Sequence, residues 1–286
     1  MFKKILMKIY TSIKINIVIF KTKRLKLKRI GINKKNIRKR KIIVSLTSYS
    51  KRFSTLPLCI KSLLTQTLKP DKIILYLTNK DYLNVTKEIK KLQQYGLEIK
   101  IVDLDLRPHK KYYYAMREYH NDIIITVDDD VIYDKQLVEQ LMLTHRRYPD
   151  AIVTARARLI KADNAYFFPY NEWKLVTTSY EPSMKLLATG VGGVLYPPYL
   201  LNEGLLFNLD YINNYINVDD LWLKTVEIIS GIPTVICDLS VDHHRIEIPS
   251  AQKNGLTNIN VFQKQNDKYW LELNRQFKLF EKLFNR

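Results

Sequence analysis

The sequence predicts an α/β fold, with a mainly parallel sheet flanked by helices, from three observations. Runs of β-branched residues alternate along the chain with segments whose apolar residues recur at helical spacing, which indicates βαβ units. Residues 123–127 form an almost wholly apolar run, as in a strand that is buried on both faces. This strand is followed by Asp128, Asp129 and Asp130, and open α/β sheets bind ligands at the carboxyl ends of their strands.

The predicted elements follow one another from residue 41. Strands are predicted at residues 41–47, 73–77, 97–102, 123–127, 151–158 and 234–237. Helices are predicted from Leu56, at 85–94, from Tyr112, at 136–145 and at 219–230. Apolar residues at helical spacing between Trp270 and Phe284 predict a last helix that docks on the domain or faces a membrane.

The basic character of the chain is concentrated at its N-terminus. The sequence holds 47 Lys and Arg residues against 28 Asp and Glu residues, a net charge of +19. Residues 1–40 contain fifteen of the basic residues and no acidic one, so the remaining 246 residues carry a net charge of only +4. This distribution predicts a basic extension at residues 1–40 and argues against a nucleic-acid groove on the folded domain.

The segment at residues 5–20 is apolar but includes Lys8 and Lys14, so it is too short and too charged to span a membrane. No small-residue cleavage site follows it, which argues against a secretory signal. We expect it to lie on an anionic membrane surface; a solubilising arm is the alternative. Cys59 and Cys237 match neither a disulfide framework nor the spacing of a metal site, which indicates a protein of the reducing cytoplasm. The predicted location is cytoplasmic, peripherally bound to the inner face of the cell membrane.

The carboxylates that follow the strand at 123–127 predict a divalent metal site. Neighbouring acids raise one another's pKa unless a cation lies among them. Carboxylate oxygens are preferred ligands of Mg²⁺ and Mn²⁺, so either ion is a candidate cofactor. A solvated turn or a helix N-terminus is the alternative for an isolated acidic triplet. The later pair His243 and His244 consists either of metal ligands or of polar surface residues.

Three further stretches carry candidate site residues. Residues 103–114 join acids to cations and tyrosines, which suits a ligand with a ring and phosphates, although each tyrosine also suits packing on the sheet. Residues 190–193 hold three glycines outside the dinucleotide-binding register, which indicates the close approach of a ligand or a mobile loop. Asp219 and Asp220 open a helix, where capping is the alternative to a role in catalysis.

Taken in this order, the motifs resemble the nucleotide-sugar-dependent glycosyltransferases of the GT-A fold, in particular family-2-like bacterial enzymes that build surface polysaccharides. The resemblance covers residues 41–245. The motifs are Ser45-Leu46-Thr47-Ser48-Tyr49, Pro108-His109-Lys110-Lys111-Tyr112-Tyr113, Val127-Asp128-Asp129-Asp130, Gly190-Val191-Gly192-Gly193 and Asp219-Asp220-Leu221-Trp222. Two departures are Thr78-Asn79, which lacks the acid that many relatives carry there, and Asp219 in place of the commoner Glu.

The resemblance implies a Rossmann-like GT-A domain and a role for each motif. Asp128 and Asp130 match the ends of the metal-binding Asp-x-Asp motif, and His243 or His244 is an implied further ligand of Mn²⁺ or Mg²⁺. The implied base of an inverting transfer is Asp220, with Asp219 as the alternate. The residues implied to bind the donor are Thr47, Ser48, Tyr49, Arg52, Asp105, Lys110, Lys111 and Asp129. The acceptor is expected to contact Trp173, whose aromatic face suits a sugar ring, and Gly192 and Gly193.

The implied function is transfer of a sugar from a nucleoside diphosphate donor to a glycan or lipid-linked acceptor in cell-surface polysaccharide synthesis. The predicted organisation is a basic amphipathic extension at 1–40, a catalytic domain at 41–248 and a helical segment at 249–286. Within the domain, 41–160 forms the nucleotide-binding half and 161–248 the acceptor and catalytic half. A Mg²⁺-dependent nucleotidyl- or phosphotransferase, of which the nucleotidyltransferase would release pyrophosphate, and a non-catalytic membrane-associated binding protein are the alternatives.

Overall fold

A computed structural model describes residues 2–35, 37–164, 166–178, 180–238, 240–252 and 265–284. Its strands are β1 (Ile42–Thr47), β2 (Lys72–Thr78), β3 (Leu97–Val102), β4 (Ile123–Thr126), β5 (Val131–Ile132), β6 (Ile152–Thr154), β7 (Ala157–Leu159), β8 (Leu186–Ala188), β9 (Val194–Tyr196), β10 (Thr234–Ile236) and β11 (Ile246–Glu247). The predicted α/β class is therefore confirmed.

The central sheet has the strand order β10-β6-β9-β4-β1-β2-β3. Neighbouring strands are parallel except at β9, which is antiparallel to β4 and to β6. Ser45 of β1 pairs with Thr126 of β4, and Thr47 of β1 pairs with Tyr76 of β2. These three strands thus reach the same edge of the sheet together. Two short antiparallel sheets, β5 with β11 and β7 with β8, extend from the central one.

Helices lie on both faces of the sheet. They are α1 (Phe2–Arg24), α2 (Leu56–Leu63), α3 (Asn79–Tyr82), α4 (Lys87–Leu92), α5 (Lys110–Glu118), α6 (Leu137–Arg147), α7 (Glu203–Leu206), α8 (Leu209–Asn214), α9 (Asp219–Ser230), α10 (Ser240–His244), α11 (Pro249–Gln252), α12 (Gln265–Phe277) and α13 (Leu279–Phe284). Helix α2 begins with Pro57 in its first turn, and α9 ends at Gly231, whose φ of 71° only glycine adopts readily.

Alternation along the strands divides the core in two. Ile43 and Ile124 face one side of the sheet, where they join residues of α5, α9, α12 and α13. Val44 and Ile125, their neighbours in the chain, face the other side and join residues of α2, α4 and α6. Successive side chains of a strand point to opposite faces, so a strand that is apolar throughout supplies both cores.

The predicted strand at 151–158 is two strands in different sheets. The Thr154 hydroxyl lies 3.0 Å from the Arg156 carbonyl oxygen, to which it donates, and 3.2 Å from the Arg156 N–H, from which it accepts. A local bond of this kind competes with the sheet ladder and turns the chain. The apolar periodicity therefore predicted the strand residues but not the break between β6 and β7.

The C-terminal helices are docked on the domain. Trp270 and Leu273 of α12 belong to the core and are 2% and 0% exposed. Lys278, which has a φ of 55°, interrupts the helical conformation between α12 and α13. Of the two interpretations of this stretch, docking or contact with a membrane, the structure favours docking. Residues 253–264 and 285–286 of the predicted segment at 249–286 lie outside the described residues.

The predicted extension at 1–40 is also packed on the domain. Ile15, Val18 and Ile19 of α1 contact an apolar cluster formed by Leu58, Ile132, Ile246, Ile248 and Ala251. Further along, Arg38 forms an ion pair with Asp71 at 2.6 Å. The described part of this segment is thus not a detached arm. Among the described helices, none combines the length and the apolarity needed to cross a bilayer.

Candidate active site

A cavity of about 900 Å³ opens at the edge of the sheet where β1, β2 and β4 end. The parallel register brings those ends together, and the first turns of α5 and α9 complete the wall. The predicted site residues that line it are Thr47, Ser48, Tyr49, Arg52, Asp105, Lys110, Lys111, Asp128, Asp129, Asp130, Asp219 and Asp220. The fold therefore assembles four separate stretches of the sequence around one volume.

Arg52 compensates the second and third acids of the triplet. Its guanidinium forms an ion pair with Asp129 and, at 3.1 Å, another with Asp130. The Ser48 hydroxyl donates to Asp129, and the Gln252 amide donates to Asp130 at 3.1 Å. Burial raises the pKa of Asp129 despite these partners, and burial together with the neighbouring carboxylates raises the pKa of Asp130 to about 7. Asp130 thus stands in an environment that favours additional positive charge.

Lys111 joins the acidic triplet to the acid pair of α9. Its Nζ lies 2.7 Å from Asp128 Oδ1 and 2.9 Å from Asp219 Oδ2. The residue is only 4% exposed, and the Ser45 hydroxyl donates to its carbonyl oxygen, which ties α5 to β1. Burial alone would lower the pKa of Lys111, but the surrounding carboxylates raise it well above its ordinary value. The ammonium group therefore stays charged although it is buried.

Asp219 and Asp220 occupy different electrostatic environments. Burial would raise the pKa of Asp219, but Lys111 outweighs this effect and lowers it. The two carboxylate oxygens of Asp220 lie 3.1 and 3.2 Å from the Gly190 N–H, which donates to them. Burial and the charge of Asp219 raise the pKa of Asp220 to about 8. The residue that precedes α9, Val218, gives the helix no side-chain cap, so the structure does not favour the capping interpretation.

Gly190 allows the charged groups to converge. A Cβ atom at this position would lie 2.9 Å from Lys111 Nζ, 3.1 Å from Asp220 Oδ1 and 3.2 Å from Asp128 Oδ1. Any side chain at residue 190 would therefore displace one of these three groups. The loop from Gly190 to Gly193 was predicted as a contact of the acceptor, but the role of Gly190 in spacing these charged groups was not predicted.

The wall of the cavity beside β1 and β2 holds the remaining predicted donor residues. The Thr47 hydroxyl donates to the Tyr76 carbonyl oxygen at 2.9 Å. The Arg52 guanidinium lies 5.6 Å from the centre of the Tyr49 ring. Beside the start of α5, Lys110 Nζ lies 2.5 Å from Asp105 Oδ1, and this ion pair lowers the pKa of Asp105 although burial opposes it. Hydroxyl, aromatic and cationic groups are thus placed along one side of the opening.

Sequence comparison identifies the family. The profile described as "Glycosyl transferase family 2" matches residues 43–196, more than half of the chain and the part that builds β1 to β9. The chain belongs to glycosyl transferase family 2. This membership is what the order of the five motifs in the sequence predicted. A comparison with curated protein sequences gives no match.

Structures similar to this family 2 protein include S. aureus TarS in complex with UDP, at 14% identity and a TM-score of 0.44. The match covers 69% of this chain and 57% of the TarS chain. A structure of 4-diphosphocytidyl-2C-methyl-D-erythritol synthase is 12% identical with a TM-score of 0.44, covering 71% of this chain and 91% of that one. The cytidylyltransferase IspD of Francisella tularensis is 12% identical with a TM-score of 0.41, covering 74% and 96%.

Five predicted site residues of this family 2 protein are not part of the described cavity lining. Trp173 is 1% exposed, because it packs on Trp270 and its Nε1 donates to the Phe168 carbonyl oxygen. This burial contradicts the expectation that its ring stacks on a sugar. His243 and His244 are exposed on α10, and His244 Nδ1 lies 3.5 Å from Asp134 Oδ2. Neither histidine is part of the described cavity lining, so a role as metal ligand stays a prediction.

Gly192 and Gly193 are the remaining two predicted site residues that are absent from the described cavity lining. A Cβ atom at Gly192 would lie 2.5 Å from Arg156 Cβ, and Gly193 has a φ of 84°. These glycines therefore allow a close approach of backbone and a turn into β9, and the described cavity lining includes neither of them. Because Thr189 and Val191 of the same turn do line the cavity, contact of the two glycines with the acceptor stays a prediction.

The cavity of this family 2 protein also includes residues that were not predicted. Arg156, Arg158 and Tyr170 line it from the segment after β6, and Glu247 and Gln252 line it from the segment after α10. Arg156 and Arg158 occupy alternate positions at the end of a predicted buried strand, and this pattern could have indicated the group after β6. The second group lies at the limit of the family resemblance and carries no motif.

The carboxylate oxygens of the acidic triplet are suitable ligands for a hard divalent cation. Asp128 and Asp130 both line the cavity, and Mg²⁺ is commonly bound by one or two carboxylates together with substrate phosphates. The raised pKa of Asp130, which reflects burial and adjacent negative charge, indicates a place where a cation would be stabilised. Within the described residues, no group of three or more His, Cys, Asp or Glu side chains is arranged to hold a metal ion unaided. The carboxylates thus suit an ion that arrives with a phosphate ligand.

Proposed function

We propose that this glycosyltransferase moves a sugar from a nucleoside diphosphate donor to a hydroxyl of a glycan or lipid-linked acceptor, with inversion at the anomeric carbon. One observation carries the proposal: acids from the end of β4 and from the start of α9 meet in one cavity through Lys111. Such a transfer needs one group of charges for the leaving diphosphate and a separate base for the acceptor. The cavity offers both.

The donor would lie along the wall formed by β1 and the start of α5. Thr47, Ser48 and Tyr49 supply hydroxyl and aromatic groups for the nucleoside, and Arg52 and Lys110 supply positive charge for the diphosphate. Arg52 is held by two carboxylates, so its charge is oriented before any ligand binds. Preorganised charge of this kind costs no rearrangement during the reaction.

Asp128 and Asp130 would hold Mn²⁺ or Mg²⁺ against the donor diphosphate. When bound, such a cation supplies a Lewis acid that neutralises the charge developing on the leaving group. Lys111 positions Asp128, and Gln252 positions Asp130. Asp129 holds Ser48 and Arg52 in place and serves the donor site indirectly.

Asp220 would accept the proton of the acceptor hydroxyl. Its pKa of about 8 favours proton exchange near neutral pH, and the Gly190 N–H orients its carboxylate. Asp219 is held ionised beside Lys111 and contributes the negative charge that keeps the pKa of Asp220 high. The role of Asp219 is therefore one of position and charge.

We further propose that the enzyme acts at the cytoplasmic face of a membrane, in the synthesis of a cell-surface polysaccharide. The supporting observation is the concentration of fifteen basic residues in positions 1–40, which favours an anionic surface.

A panel of nucleotide sugars, assayed with Mn²⁺ or Mg²⁺, tests the proposed reaction. We expect slow hydrolysis of one donor with release of the nucleoside diphosphate, because water can replace the acceptor. Release of pyrophosphate from a nucleoside triphosphate would instead indicate a nucleotidyltransferase. Binding of no nucleotide under any metal condition would indicate a non-catalytic protein.

Calorimetry tests the metal site separately. Nucleoside diphosphate should bind more tightly with Mn²⁺ than with EDTA, and Asp130→Ala should abolish the difference while the protein stays folded. Lys80→Ala is a matched control, because Lys80 also lines the cavity but belongs to α3. Equal affinity of the unaltered protein with Mn²⁺ and with EDTA would exclude this arrangement.

A further inference from the structure

Helix α1 has two apolar faces. Ile15, Val18 and Ile19 pack on the domain. Tyr10, Ile13, Ile17 and Phe20 recur at spacings of three and four residues, so they form one stripe along the helix. Their exposed fractions are 67%, 53%, 47% and 53%, and the stripe therefore faces away from the domain. We call these four residues the outer stripe.

Basic residues accompany the outer stripe. Lys14, Lys21 and Arg24 are exposed, and each follows a member of the stripe by four residues, so it lies one turn further along the same face. The Arg24 guanidinium lies 4.1 Å from the centre of the Phe20 ring, which shows how closely charge and apolar surface are combined. The face thus presents rings and aliphatic chains with cations among them.

We propose that the outer stripe docks this protein on an anionic lipid surface, with α1 lying in the plane of the membrane. Apolar side chains flanked by Lys and Arg suit the boundary between acyl chains and anionic headgroups. A second copy of this chain is a poor occupant, because pairing two such faces would bring like charges together. The inner face fixes α1 to the domain, so docking would orient the whole molecule.

The orientation has a consequence that depends on the proposed function. Ile248 and Ala251, which contact α1, belong to the segment that supports Asp130: the Ile248 N–H donates to the Asp130 carbonyl oxygen at 2.8 Å, and Gln252 donates to its carboxylate. The same segment supplies Glu247 and Gln252 to the cavity wall, so it links α1 to the cavity. A docked α1 would therefore hold the cavity near the membrane, which favours a lipid-linked acceptor over a diffusible glycan.

Sedimentation with vesicles tests the docking surface. The full-length protein should sediment with phosphatidylcholine vesicles that contain phosphatidylglycerol and much less with phosphatidylcholine alone. The double variant Ile13→Asp/Ile17→Asp should lose roughly tenfold or more of this binding, because it places two negative charges in the stripe. Leu143→Asp is the matched control: Leu143 is 49% exposed on α6, close to the 47% of Ile17. The control should bind like the unaltered protein.

A second variant removes charge without touching the apolar contacts. Lys14→Gln/Lys21→Gln should weaken binding to the anionic vesicles and leave the melting temperature unchanged, because both side chains are exposed. Unchanged vesicle binding by both double variants would overturn the proposal. A different result would also overturn the proposal: the unaltered protein self-associates, Ile13→Asp/Ile17→Asp does not, and neither protein binds vesicles. The outer stripe would then bind a second copy of the chain.

The readout is independent of catalysis. If donor hydrolysis is absent but vesicle binding behaves as expected, the docking surface stands and the proposed reaction fails. If donor hydrolysis is present and both double variants bind vesicles normally, the reaction stands and the docking surface fails.

Discussion

Asp219 and Asp220 have the same side chain and adjacent positions, yet their pKa values shift in opposite directions. Asp219 gains a buried ammonium group, whereas Asp220 gains a backbone N–H and the repulsion of its neighbour. The pKa of the first falls and that of the second rises to about 8. Two carboxylates whose environments separate their pKa values are suited to different roles in one reaction.

Substitution separates those roles. Asp220→Asn should reduce the rate of transfer by roughly 10²–10⁴-fold, the usual contribution of a general base, without lowering the melting temperature. Asp219→Asn should lower the stability, because the buried Lys111 ammonium loses one of its two carboxylate partners and a buried charge is costly when it is poorly compensated. Thermal denaturation and steady-state kinetics of both variants measure this difference. Near-normal transfer by Asp220→Asn would place the base elsewhere.

The pH dependence follows from the raised pKa of Asp220. A base must be deprotonated, so kcat/KM for transfer should rise with pH up to about 8 and then level off. For stability the sign is opposite: a carboxyl group whose pKa is raised in the folded state holds its proton there but loses it in the unfolded chain above about pH 4. Its contribution to the free energy of unfolding therefore falls between about pH 4 and 8. Asp220→Asn should flatten both profiles, and unchanged profiles would assign the pKa to another group.

Among the larger elements, the turn at 190–193 sets the spacing of the charged groups. Gly190→Ala should lower transfer activity strongly, because the new Cβ would press on Lys111, Asp220 and Asp128 together. Gly204→Ala is the control: its Cβ would meet only Asn202 Oδ1, at 3.4 Å, and alanine favours the helix there. Kinetics and melting temperatures of the two variants give the comparison. Full activity of Gly190→Ala would show that the site tolerates a wider spacing.

The packing of α12 on the segment that contains Trp173 is a second feature of the elements that can be tested. Trp173→Ala should reduce the free energy of unfolding by about 3–5 kcal/mol, as expected when a buried tryptophan is removed. Tyr166→Ala, which alters an aromatic residue that is 62% exposed in the same region, should change it little. Urea denaturation measures both values. A stable Trp173→Ala variant with impaired acceptor binding would restore the acceptor role.

On the scale of the whole molecule, α1 belongs to the folded domain as well as to the basic segment. Deleting residues 1–24 would expose the apolar cluster that includes Leu58, Ile132 and Ile248. At about 2–4 °C per kcal/mol for a chain of this size, we expect the melting temperature to fall by roughly 5 °C or more. Scanning calorimetry of the truncated and full-length proteins tests this. An unchanged melting temperature would mean that α1 adds nothing to stability.

The sequence by itself determined the fold class and most of the elements. Largely apolar runs predicted β1, β2 and β4, and helical spacing predicted α9 from Asp219 to Ser230, as observed. These signals are local, because the alternation or periodicity of neighbouring side chains decides how a segment is buried. For the same reason the acids at the end of β4 and the start of α9 could be recognised as candidate site residues before their arrangement was known.

Only the tertiary structure decided which candidates meet. Lys111 between Asp128 and Asp219, and Gly190 beneath Asp220, are contacts between residues far apart in sequence, and no local pattern encodes such distances. Trp173 and the histidine pair show the reverse case, since their residue types suit a ligand but their surroundings place them in the core or on the surface. The burial and the charge partners of a side chain depend on contacts from many parts of the fold. These contacts decide which of several chemically similar side chains are structural and which are reactive.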